Sequence, residues 1–217
     1  MVNSYPPLGL AYLAAVAEQG GHEVRVHDFG LRPEIPLEAQ IAEVLDFRPD
    51  LVAFTSMTTS QHSLEQMAGP LKSELGVPLV IGGPHATVLP ERTLSDPNFD
   101  FLVYGEGEET WRELLAALSA GDERYGRIAG LWWKQNGRTM SNEERPLIPD
   151  LDVLPFPARH QLELDDYPLY APTGERMLTV LSSRGCPYNC SFCFKGIVGR
   201  TYRQRSRALV FVCADSV

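Results

Sequence analysis

Apolar residues follow two alternating rhythms through the first 145 residues of the chain. Over 8–19, Leu10, Leu13, Ala14 and Ala17 return at helical spacing and Gly20-Gly21 ends the run, which predicts a helix. The next stretch, EVRVHD over 23–28, alternates apolar and polar and predicts a strand. The exchange then repeats. A helix is expected over 37–47, a short apolar strand (LVAFT) over 51–55, and a helix over 63–75 stopped by Gly76. A strand over 78–81 stops at Gly82-Gly83, and a strand over 100–104 precedes a helix over 109–118. The strands 51–55 and 78–81 read as buried parallel strands, because they are apolar on both faces. Strands alternating with helices of this length specify an α/β fold, a doubly wound, Rossmann- or flavodoxin-like parallel sheet.

Beyond that sheet the pattern changes. Residues 128–134 and 138–141 flank Asn136-Gly137, a pair suited to a tight turn, and predict a hairpin. The stretch 146–172 is rich in proline and acids and reads as an extended linker running over a surface. MLTVLS over 177–182 reads as a buried strand. The expected division is a first domain over 1–145, a linker over 146–175 and a second unit over 176–217.

Ligands of such sheets bind outside the carboxyl ends of the strands. The chain puts small and polar residues there: Thr55-Ser56-Met57-Thr58-Thr59, then Gly82-Gly83-Pro84-His85-Ala86-Thr87, then Gly105-Glu106-Gly107-Glu108. Glycine lets a ligand come close to the backbone, and adjoining helix N-termini favour anionic groups. Any one such loop reads as a plain turn; three on one edge point to a binding site. Its candidates are Thr55, Ser56, Thr58, Gly82, Gly83, Pro84, His85, Gly105, Glu106 and Gly107. His85 either contacts the ligand or bonds a backbone carbonyl. Glu106 and Glu108 either bond ribose or amide groups or, for Glu108, serve as a first-turn helix acid. His22 and His27 read as structural or solvated.

Composition narrows the classes. The net charge of −9 argues against nonspecific nucleic-acid binding, which needs a basic face. No apolar run reaches the ~18 residues of a membrane span. Four cysteines in 217 residues, with no signal peptide, fit a reducing compartment, and a cytoplasmic location is expected. Arg200, Arg203, Arg205 and Arg207 form a local basic cluster that either offsets negative charge nearby or is solvated.

That cluster follows the most specific chemical signal, Cys186, Cys190 and Cys193 in a C-x₃-C-x₂-C run. Three thiolates on one loop hold three irons of a cubane cluster and leave the fourth open. An electron-transfer ferredoxin cluster takes four cysteines, and structural zinc closes with four ligands. Here Cys213 is the only other cysteine and no histidine follows His160. A zinc- or iron-binding regulatory protein is the rival reading of the same thiols.

The run Ser183-Arg184-Gly185-Cys186-Pro187-Tyr188-Asn189-Cys190-Ser191-Phe192-Cys193 resembles the signature of the radical S-adenosylmethionine (SAM) enzymes. The resemblance implies a [4Fe–4S] cluster on Cys186, Cys190 and Cys193, SAM on the open iron, and Phe192 near the SAM adenine. The segments before it resemble the cobalamin (B12)-binding domain of a radical SAM subclass that includes the anaerobic magnesium-protoporphyrin monomethyl ester cyclases. The matching residues are Pro6-Pro7-Leu8-Gly9-Leu10-Ala11-Tyr12-Leu13-Ala14, Gly20-Gly21-His22-Glu23-Val24, and the loops at 82–87 and 105–108. Asp150-Leu151-Asp152-Val153-Leu154-Pro155-Phe156-Pro157 is similar to the linker into the subclass's (β/α) barrel. By this resemblance 1–145 is the cobalamin domain and 176–217 the start of the barrel, with the ten loop candidates as cobalamin contacts. Asp-x-His-x-x-Gly, whose histidine ligates cobalt in the methionine synthase type, is absent.

The implied activity is reductive SAM cleavage serving methyl transfer or radical oxidation and cyclisation. The implied partners are a small-molecule substrate and an electron donor such as flavodoxin or ferredoxin. A cobalamin-binding module without catalysis is the alternative. The chain also departs from the subclass. Only 24 residues follow Cys193, the later barrel elements are missing, and 207–213 does not match the helix expected there. The expectation is therefore a truncated chain, inactive alone, whose catalytic residues are not identifiable.

Overall fold

Seven α-helices and seven β-strands follow one another in the computed structural model, which describes residues 5–175 and 177–215. They are α1 Leu8–Gln19, α2 Leu37–Phe47, β1 Val52–Thr55, α3 Gln61–Leu75, β2 Leu79–Gly82, α4 Pro84–Val88, α5 Pro90–Leu94, β3 Phe101–Val103 and α6 Glu108–Ser119. Then come β4 Leu131–Gln135, β5 Arg138–Ser141, β6 Ser183–Arg184, β7 Arg203–Gln204 and α7 Arg207–Asp215. They fall into two compact units. One comprises the described residues up to Pro36, residues 148–193 and those from Gly199 on; the other comprises residues 37–147 and 194–198.

The second unit carries one sheet in the order β1-β2-β3-β4-β5. β1, β2 and β3 run parallel, with Val52 opposite Leu79 and Val80 opposite Phe101. Helices connect them, as the alternation predicted. β4 and β5 form the predicted hairpin and extend the same sheet antiparallel. Asn136 and Gly137 both take positive φ (53° and 73°), as a two-residue type I′ turn requires. Leu79, Leu102, Phe99 and Ile81 meet Ala68 of α3, Ala86 of α4 and Leu94 of α5 in the core. The Asp100 carboxylate accepts from the Leu79 amide and from Lys72 Nζ, each at 2.7 Å, tying α3, β2 and the start of β3 together.

Three expectations change here. β1 is an edge strand among the described strands; Val52 and Phe54 are half-buried and alternate with exposed Ala53 and Thr55. The loop after β2 is mostly helix, with prolines at the first turns of α4 and α5. Residues 23–28 form no ladder and belong to the other unit. Val24 and Val26 still bury one side against Ala14, Ala15 and Ala158. Alternation specifies which side is buried; it does not supply a neighbouring strand to pair with.

The first unit contains α1, the predicted linker, the cysteine loop and α7. The linker is not a surface strap. Ile148, Leu151 and Leu154 form their own small core, and Ala158, Leu162, Tyr167 and Leu169 are buried too. Prolines there end regular structure, but the apolar residues recur every three or four positions and are buried in or beside short 3₁₀ turns. Arg203 Nη1 donates to the Ile148 carbonyl at 2.7 Å, and Arg205 Nη2 to those of Leu154 and Pro155 at 3.1 and 3.0 Å. Residues 177–182 are not a strand; only Ser183 and Arg184 pair, with Gln204 and Arg203. Residues 207–215 do form a helix, against expectation. The Ser206 hydroxyl accepts from the Leu209 amide as an N-cap, which offsets the poor helix propensity of Val210 and Val212. Among the described residues no helix is long and apolar enough to cross a membrane.

Candidate functional site

The loops that follow β1, β2 and β3 are joined into one hydrogen-bonded platform. Ser56, fully buried, is its hub. Its amide and its hydroxyl both donate to the Gly82 carbonyl, at 2.8 and 3.0 Å. Its carbonyl accepts from the His85 amide at 2.9 Å, and its hydroxyl accepts from the Ala86 amide at 3.3 Å. Gly83 sits at φ +92°, where a Cβ would lie 2.7 Å from Thr55 Oγ1 and 2.8 Å from the Ser56 nitrogen. Only glycine fits between these two loops. The third loop joins through Thr87, whose hydroxyl accepts from the Gly105 amide at 3.2 Å. Thr87 belongs to the 82–87 loop that the sequence singles out but is not among its ten named contacts; its signal is a short polar side chain there.

His85 is buried, and its Nδ1 lies 3.1 Å from the Thr58 hydroxyl. Its partner is thus a side chain of the neighbouring loop rather than a backbone carbonyl. Glu106 and Glu108 are buried as well. Glu108 begins α6, and the first turn of that helix carries Glu108 and Glu109, which suit its dipole. Tyr104, just before the third loop, has its phenol pushed up by burial and by the Glu144 carboxylate. Thr55, Ser56, Thr58, Gly82, Gly83, Pro84, His85, Gly105, Glu106 and Gly107 therefore all sit at or beside one edge. In the same loops, Met57, Val88 and Leu89 are exposed apolar residues.

This platform offers close backbone, small polar groups and exposed apolar side chains. Its one histidine is engaged with Thr58, and His62 is exposed on α3. The residues fit a large planar ligand such as cobalamin laid against the backbone.

In the other unit, β6 and β7 close the ends of the cysteine loop. The Cys186 amide donates to the Gly199 carbonyl at 3.3 Å, and the Cys193 amide to that of Cys190 at 3.2 Å. None of the four cysteines is joined in a disulfide; Cys186 is half-buried, and Cys190 and Cys193 are exposed. Phe192 is 91% exposed. Among the described residues no three His, Cys, Asp or Glu side chains are gathered to hold a metal ion. The donor type and spacing fit an iron–sulfur cluster, and a metal-binding loop is commonly closed by the metal itself. The basic cluster splits: Arg200 and Arg207 are exposed, while Arg203 and Arg205 are buried against linker carbonyls.

An α/β sheet, parallel through β1, β2 and β3, with a loop platform at its carboxyl edge defines a ligand-binding domain, and a three-cysteine loop follows it in the chain. Residues 1–115 match the B12 binding domain. An uncharacterized methyltransferase of Pyrococcus horikoshii is 39% identical over 205 residues, covering 93% of this chain and 43% of its own length. The anaerobic magnesium-protoporphyrin IX monomethyl ester cyclase of Cereibacter sphaeroides is 30% identical over 210 residues, covering 94% of this chain and 34% of its own. The radical S-adenosylmethionine methyltransferase TsrM of Kitasatospora setae, solved with cobalamin and a [4Fe-4S] cluster, shares the fold with a TM-score of 0.72. It is 22% identical, over 98% of this chain and 43% of that one. The chain belongs to the B12-binding-domain-containing radical SAM proteins. It spans less than half the length of the relatives it matches.

Proposed function

We propose that the platform formed by loops 55–59, 82–87 and 105–108 holds cobalamin, and that Cys186, Cys190 and Cys193 ligate a [4Fe–4S] cluster. The observation that carries this reading is the joining of three loops, two of them glycine-containing, through Ser56, Gly83 and Thr87 at one sheet edge. When bound, the cluster would supply a one-electron reductant for SAM, and cobalamin would supply a methyl carrier. The chain's own residues bind and orient. Ser56 and Gly83 fix the backbone that approaches the corrin, Glu106 and the Gly105 and Gly107 backbone line the third loop, and Phe192 offers a ring for the SAM adenine.

Carried by a protein of the relatives' length, these sites serve methyl transfer to a small-molecule substrate, with flavodoxin or ferredoxin as electron donor. Radical oxidation or cyclisation is the second course, supported by the 30% identity to the cyclase. The test is anaerobic incubation with hydroxocobalamin followed by gel filtration. Wild-type protein co-elutes with the corrinoid spectrum, and Gly83→Val elutes without it. A wild-type protein that elutes free of corrinoid sinks the cobalamin assignment.

A further inference from the structure

Unit one buries a guanidinium whose companions are aromatic rings. Arg205 is 4% exposed. Its Nη2 donates to the Leu154 and Pro155 carbonyls, but Nε and Nη1 are closed to solvent and have no hydrogen-bond partner. Tyr12 of α1 is 1% exposed, and its hydroxyl has no partner either. What faces the cation is π surface. The Arg205 guanidinium carbon lies 5.5 Å from the Tyr12 ring centroid and 5.7 Å from that of Phe156. The Arg184 guanidinium lies 5.8 Å from the same Tyr12 ring. These separations fall within the ~6 Å of a cation–π contact, which is strongest when desolvated. Burial holds the Tyr12 phenol above its usual range against the pull of Arg205 and Arg184, so the arginines meet a neutral ring.

Both arginines belong to the ends of the cysteine loop. Arg184 is in β6, two residues before Cys186, and pairs with Arg203 of β7. The Arg205 amide donates to the Ser182 carbonyl at 2.8 Å and adds one rung beyond that ladder. A two-stranded ribbon of two residues a side is marginal by itself. A side-chain anchor must hold it closed.

We infer that Tyr12 is a positioning residue for the cysteine loop: its ring clamps Arg184 and Arg205 and so fixes the two ends between which Cys186, Cys190 and Cys193 are hung. The inference rests on the assignment of those cysteines as cluster ligands. A helix near the start of the chain thereby sets the geometry of a loop near its end.

The experiment measures two quantities on the full chain: amide hydrogen exchange at Cys186 and Arg205, and iron and sulfide bound after anaerobic reconstitution. Tyr12→Phe keeps the ring and behaves as wild type in both. Tyr12→Leu speeds exchange at both amides by about tenfold or more and lowers cluster content. Val24→Ala, which thins the packing on α1 without touching an arginine, leaves the two amides protected. Should Tyr12→Leu not fold, Phe156→Leu removes one ring from Arg205 and must speed the Arg205 amide. Unchanged exchange and cluster content in Tyr12→Leu overturn the inference, as does equal loosening in Val24→Ala. If the wild type binds no iron and sulfide, the cluster assignment has failed, and exchange alone judges the clamp.

Discussion

Ser56 shows how much one small side chain can organise. It is fully buried and holds four hydrogen bonds across two loops. Ser56→Ala leaves the Ala86 amide buried without its acceptor, at a cost of about 1–3 kcal/mol. Urea denaturation should report that loss as a lower midpoint with an unchanged slope. The tyrosines give a pH prediction. Tyr12 and Tyr167 are both held above the usual phenol value of 10.0, first by burial, and for Tyr167 also by its hydrogen bond to Asp28. A raised folded-state value stabilises the fold below pH 10.0 and loses that contribution as pH rises further. Stability should therefore fall above pH 10 as these two phenols ionise; urea midpoints and ultraviolet phenolate absorbance across that range check it.

Asp100 is the corresponding point among the elements. One carboxylate oxygen takes both the Leu79 amide and Lys72 Nζ, while the Asp100 amide donates back to the Leu79 carbonyl at 2.9 Å. Asp100→Ala strips β2 of an acceptor and should cost about 1–3 kcal/mol, with faster exchange at the Leu79 amide. Elements whose pattern depends only on their own residues were legible in the sequence. α1 and α2 start and stop where the apolar spacing does, and Asn136-Gly137 placed the hairpin. Elements that depend on a partner were not. Residues 23–28 and 177–182 carry strand-like patterns, yet among the described residues neither forms a ladder; 177–182 makes single backbone bonds at Met177 and Ser182. The linker's prolines masked a three-to-four spacing that buries Ile148, Leu151 and Leu154. α7 forms over a β-branched stretch because Ser206 caps it.

At the scale of the molecule, the two units carry different chemistry. Residues 37–147 build the platform, and the cysteine loop opens from the unit that contains α1. The position of the three loops was legible because strand ends and glycines mark it; the hydrogen bonds that join them, and the helical turn after Gly83, were not. The cysteine run is marked by its spacing alone, which does not fix where its side chains lie. The most direct test is anaerobic reconstitution with iron and sulfide, read by absorbance and by electron paramagnetic resonance of the reduced protein with and without SAM. The account predicts a [4Fe–4S] signal that shifts when SAM is added and disappears in a Cys186→Ala, Cys190→Ala or Cys193→Ala variant. Stoichiometric zinc with no acid-labile sulfide would contradict it.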